Sequence, residues 1–139
     1  MRIKRAMDLM RYSLFIVYFW FGILKVLGLS PAEQLVQDLF YKTIPFIPFG
    51  TFLILFGIAE CLIGIAFLIR GHEKVALGIA VLHLFTTALP LVLLPQTAWS
   101  AVLVPTISGQ YIIKNLVLVS AAYALYIMKE EMLDLQKID

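Results

Sequence analysis

The sequence predicts an all-α membrane protein: a bundle of four transmembrane helices with a short amphipathic interfacial helix between the first and second. Two observations carry this. Of 139 residues, 62% are hydrophobic, and mean hydropathy is +0.95, more apolar surface than a soluble domain of this size can hide. That surface is gathered into four runs, about 12–29, 49–69, 75–94 and 111–128. Each is close to the ~20 residues that cross a ~30 Å hydrocarbon layer at 1.5 Å per residue.

The first run has no Ala-x-Ala-like cleavage site after it and is long enough to span, so it reads as a retained signal anchor. Ser30-Pro31-Ala32-Glu33 then has the form of a capping box with proline at the first helical position. It opens a helix over about 31–43, whose Leu35, Val36, Leu39 and Phe40 share one apolar face suited to the outer interface. Pro45 and Pro48 stop it by Ile44. The second run carries Gly50, Gly57 and Gly64 at heptad spacing, a stripe that admits a close neighbouring helix. Glu60 lies on the same stripe and should face protein. The third connection, Pro95 to Gly109, has no charged residue; with Ala101 to Val104 it should lie on the membrane surface or cap the bundle, anchored by Trp99. No internal repeat or domain boundary interrupts the chain.

Orientation follows from Lys and Arg, because positively charged short loops resist translocation. Arg2, Lys4, Arg5 and Arg11 flank the first run, Arg70 and Lys74 lie in or beside the second connection, and Lys129 and Lys137 are in the tail. These segments, and so both termini, are expected in the cytoplasm. The first connection, with Lys42 alone, and the charge-free third are expected on the other side.

Several functions are argued against. A net charge of +2 gives no indication of nucleic-acid binding. One cysteine, Cys61, builds neither a disulfide framework nor a CxxC pair nor a cysteine-based metal site. His72 sits in the second connection, which argues against bis-histidine haem ligation. Glu60 and Cys61 point about 100° apart, which argues against a metal site made with His83.

An ionisable residue inside a span costs roughly 2.5–3.5 kcal/mol and needs a partner, water or a role. Lys25, Glu60, His83 and Lys114 are the four that stand out. Counting helical rise from the outer ends puts Lys25 and Lys114 about 6 Å deep, and Glu60 and His83 about 16 Å deep. With Gln110 and Asn115 nearby, the pattern is an outward-opening polar pocket. The residues leave alternatives open: each lysine either snorkels to the head groups or lines the pocket, Glu60 is either a structural partner or a ligand or proton site, and His83 is more often an interhelical hydrogen-bonding residue than a metal ligand. Two lysines against one glutamate favour an anionic or carbonyl-bearing guest, such as a quinone head group or a lipid phosphate.

Phe19 to Lys25 (FWFGILK), Leu29 to Pro48 (LSPAEQLVQDLFYKTIPFIP), Glu60 with Gly64, His83 with the later LPLVLLP, and Pro105 to Leu118 (PTISGQYIIKNLVL) together resemble the DoxX-like family of small membrane proteins. The similarity runs from about Arg11 to Tyr126, and GQYIIKNLVL is its most specific piece. The resemblance implies a single DoxX-like transmembrane domain over 1–139, and a link to quinone-coupled sulfur oxidation or oxidative-stress complexes. Ser108 and Gln96 stand where many relatives carry acidic residues, which argues against a cation or proton role at the outer mouth. The leading expectation is a multi-pass inner-membrane subunit or anchor of a quinone-linked redox system. Lys25, Glu60, His83, Gln110, Lys114 and Asn115 are its candidate pocket residues, with a quinone the candidate guest, no resident cofactor or metal, and a redox partner protein. The rivals are a small proton-coupled permease and a purely structural subunit; the sequence leaves open whether the chain is catalytic.

Overall fold

The computed structural model describes residues 2–136; Lys137, assigned above to the tail, lies outside them. In chain order the elements are α1 (Arg2–Val26), α2 (Glu33–Thr43), α3 (Phe49–Leu68), α4 (Glu73–Ala88), α5 (Pro90–Leu93), α6 (Pro95–Ala98), β1 (Trp99–Ala101), β2 (Val104–Pro105) and α7 (Ile107–Gln136). Four helices, with α5 continuing α4, are long and apolar enough to cross a membrane. At 20 residues α3 is about 30 Å long, close to the hydrocarbon thickness. At 25 and 30 residues α1 and α7 are longer than a span. Their extra turns carry the Arg2–Arg5 and Lys129–Glu131 charges beyond it.

The bundle is built on the pairing of α1 with α3. The buried face of α1 is Met7, Arg11, Leu14, Tyr18, Gly22 and Lys25, spaced by threes and fours so that they line one side of the helix. Opposite it α3 buries Leu53, Gly57, Glu60, Ile63, Gly64 and Phe67. The two helices touch through their backbones: a Cβ on Gly57 would stand 2.6 Å from Gly22 O, and one on Gly22 would stand 2.6 Å from Gly57 O. Gly64 makes a second close approach, with Phe19 N at 3.0 Å from its would-be Cβ. Gly50 does not belong to this contact; among the described residues no atom lies within 4 Å of where its Cβ would be. The stripe therefore has two members, because Gly50 lies in the first turn of α3, before the crossing. On the other side, Ala76 and Ala80 of α4 and Ala122 and Leu125 of α7 are fully buried in the same core as Leu14, Ile63 and Phe67.

Two connections differ from expectation. α2 forms, but not through a capping box: Ala32 is its N-cap without a side-chain bond, and Ser30 Oγ instead accepts from Ala32 N at 3.3 Å. The helix is held by docking. Phe40, 1% exposed, packs on Phe52 and Phe49 of α3 at 4.8 and 5.5 Å, and Lys42 Nζ donates to Leu93 O at 2.6 Å at the end of α5. The third connection contains a short antiparallel hairpin of β1 and β2, with an irregularity between Trp99 and Ala101, which the sequence did not indicate. Trp99 Nε1 donates to Leu91 O at 2.9 Å. Thr106 Oγ1 donates to Thr97 O at 2.6 Å and accepts from Gly109 N at 3.1 Å, capping α7.

Candidate functional site

Three of the six candidate residues meet. Lys25 of α1 donates to Glu60 Oε2 of α3 at 2.6 Å, and His83 Nε2 of α4 lies 3.0 Å from Glu60 Oε1. Each carboxylate oxygen thus has its own partner, and the triad ties three helices at one level. Its side chains are 7–9% exposed, so the Coulombic attraction is little screened. Phe56 supports the triad from α3. Its ring stacks on His83 at 5.1 Å and lies under the Lys25 ammonium at 5.6 Å.

The depth count separates Lys25 from Glu60 by about 10 Å, yet they are in contact. Two features close the gap. The Gly22–Gly57 crossing sets the backbones together, with Lys25 Cβ 2.9 Å from where a Cβ on Gly57 would stand, and Glu60 is one turn further along α3. The Cα–Cβ bonds of a helix also tilt toward its N-terminus, which for α1 is the Arg11 end, so the Lys25 stem runs down the helix toward Glu60. Its contact with Phe21 O at 3.5 Å, one turn back, has the same direction.

Lys114, Gln110 and Asn115 are not drawn into this cluster. Lys114 and Gln110 are exposed on α7 and Asn115 is half-buried. The Lys114 ammonium stands over the Tyr111 ring, 5.2 Å from its centroid, also in the N-terminal direction of its own helix.

Sequence reasoning missed Tyr18. It is 3% exposed and meets the His83 ring edge to face, with centroids 5.5 Å apart. Among the described residues the only buried side-chain polar atoms without a hydrogen-bond partner are Tyr18 Oη and His83 Nδ1. Both belong to rings that touch each other. The signal was available: Tyr18 falls seven residues from both Arg11 and Lys25, on the same helix face.

A second charged cluster, also missed, lies at the opposite end of the core. Arg11, read from sequence as a flanking charge, is 5% exposed; it donates to Glu73 and, at 3.2 Å, to Phe67 O. Lys129 of α7 stands 3.3 Å from Glu73 Oε2, and Glu73 accepts from Gly71 N at 3.1 Å. Glu73 therefore is not an open connection residue; it is 2% exposed. Arg11 and Lys25 are 14 residues apart, about 21 Å along α1. Leu14, Ile63, Ala76, Ala80, Ala122 and Leu125 fill the core along the helices between the two clusters.

Among the described residues no group of three or more His, Cys, Asp or Glu could hold a metal ion. Cys61 Sγ lies 3.6 Å from Phe19 O. No family model, curated protein or solved structure matches the chain.

Proposed function

We propose that this chain is a multi-pass subunit of a bacterial-type inner membrane, of the DoxX-like kind its sequence resembles, with both termini in the cytoplasm. Beside its Lys25–Glu60–His83 triad it holds the polar head of a small membrane-soluble guest, a quinone by chemistry, for a redox partner. The observation that carries this is the pair of unpartnered buried atoms, Tyr18 Oη and His83 Nδ1, adjoining the triad. A phenol donor and an imidazole nitrogen are suited to the carbonyl or hydroxyl oxygen of such a head group. When bound, a quinone supplies the electron-accepting chemistry. His83 and Glu60 would move a proton to or from its oxygen, and Lys25 positions the Glu60 carboxyl by donating to Oε2. The orientation is supported by the gathering of Arg70 with Asp8, and of Lys129 with Glu73 and Arg11, at one end. The apolar core between the two clusters favours a site entered from the Lys25 end over a relay running through the bundle.

The test is extraction in mild detergent, mass spectrometry of co-purifying small molecules, and labelling with a photoreactive short-chain quinone. The reading expects co-purified quinone and label on α1 or α4 near Tyr18 or His83, displaced by unlabelled quinone. Neither co-purification nor saturable labelling would leave the triad as a helix-packing device. That rival rests on Glu60 already having a partner on each oxygen.

A further inference from the structure

Tyr18 and His83 converge from α1 and α4 with their polar atoms unsatisfied, whereas the other buried polar side chains among the described residues are bonded. Leaving a buried hydroxyl unpaired is unfavourable, and two such atoms on contacting rings are best accounted for together. The His83 ring cannot turn freely to find another partner. Phe56 stacks on it at an interplanar angle of 25°, Tyr18 abuts it at 69°, and Nε2 is engaged by Glu60. With Nε2 given to Glu60, Nδ1 is left for something else.

We infer that Tyr18 Oη and His83 Nδ1 form a binding site for one hydrogen-bonding oxygen inside the bundle, supplied either by a water molecule or by a carbonyl or hydroxyl of a guest. The inference deepens the function proposed above by assigning both atoms to one shared oxygen and giving each its hydrogen-bonding role, and it stands if the oxygen is water. Tyr18 donates to the oxygen. With Nε2–H on the Glu60 carboxylate, neutral His83 Nδ1 accepts from a water or hydroxyl, whereas toward a carbonyl oxygen it donates, as the protonated ring. The charged groups facing this ring pair are Glu60 from α3 and Lys25 from α1. A proton on the bound oxygen is therefore one imidazole away from the carboxylate.

The test compares the wild-type chain with Tyr18→Phe, purified in quinone-free detergent. If the hydroxyl holds an oxygen, Tyr18→Phe lowers Tm by roughly 2–5 °C; if the hydroxyl is truly unpaired, its removal leaves Tm unchanged or raises it, and the inference fails. Protein labelled with ¹⁵N-histidine gives a second readout, with His72→Gln assigning the two rings. The His83 Nδ1 resonance should shift on Tyr18→Phe, and an unmoved resonance would overturn the site. Titration with a short-chain quinone separates the sources. A saturable shift of Nδ1 identifies the guest's oxygen. Magnetisation transfer from water to Nδ1, with no response to quinone, identifies water; it upholds the site and removes the quinone reading alone.

Discussion

Replacing Lys25 by Met takes away the ammonium 2.6 Å from Glu60 Oε2 and leaves a carboxylate that is 7% exposed with His83 as its remaining partner. Breaking a buried pair by removing one member costs about 3–5 kcal/mol. The lower figure applies here, since His83 still holds Oε1. Glu60→Gln strands the lysine instead, because the amide offers N–H groups to one of two neighbours that themselves donate; about 3–5 kcal/mol is again expected. In the double variant neither charge remains, and the amide introduced by Glu60→Gln keeps a hydrogen bond with His83. The double should therefore lie within about 1–2 kcal/mol of wild type, with a coupling energy of at least about 4 kcal/mol. For a chain of this length about 3–4 °C of Tm corresponds to 1 kcal/mol, so each single variant should lose roughly 10 °C or more in mild detergent and the double regain most of it. Single effects that add to within about 0.5 kcal/mol would refute the ion pair as the bond between α1 and α3.

Gly22→Ala and Gly57→Ala each place a methyl against backbone at 2.6 Å and should cost about 1–3 kcal/mol by forcing the helices apart, whereas Gly50→Ala should be neutral in the same melt. Glu73→Gln should destabilise by about 3–5 kcal/mol, because Arg11 and Lys129 then face each other without their carboxylate. Adding Arg11→Met should recover part of the loss in that assay. Lys114→Met should change stability by no more than about 0.5 kcal/mol, in contrast to Lys25→Met. For topology, exposed Lys74 and Gln96 are the positions to replace by Cys: membrane-impermeant reagents should reach the first only from the cytoplasm and the second only from outside.

What was legible in the sequence is what the bilayer dictates. The four apolar runs appear as four long helices because a period-free apolar stretch of that length has few other states. The pairing of Gly57 with a neighbour was also readable, since a small residue at heptad spacing beside an ionisable one marks a crossing. The hairpin was not. β1 and β2 have three and two residues, and the turn takes a positive φ at Leu103 rather than at Gly or Asn. The capping box misled because its composition fits Ser30, whereas Ser30 Oγ is taken up by Ala32 N and α2 starts only at Glu33. Arg11 was read as a topological charge because the span was drawn from hydropathy. The stripe of Met7, Leu14, Tyr18, Gly22 and Lys25 continues through it, and periodicity taken over the whole helix would have placed it in the core.

The contrast between the two lysines follows from chain direction. Both lie near the same end of the bundle, beside the last turn of α1 and the first turns of α7. Depth alone treats them as equals. A helical side chain, however, leaves its backbone leaning toward the helix N-terminus. In α1 that lean carries the Lys25 ammonium toward the middle of the bundle, where Glu60 stands one turn beyond Gly57. In α7 the same lean carries Lys114 away from the middle, over Tyr111. Two lysines of equal depth on antiparallel helices therefore have opposite fates. An inward-leaning lysine at a helix C-terminus requires a buried anion, and Glu60 meets that need. The positive excess inferred from two pocket lysines shrinks to a neutral Lys25–Glu60 pair with His83 attached. On the function proposed above, a guest would be held through hydrogen bonds at Tyr18 and His83 rather than through net charge, which argues against a phosphate.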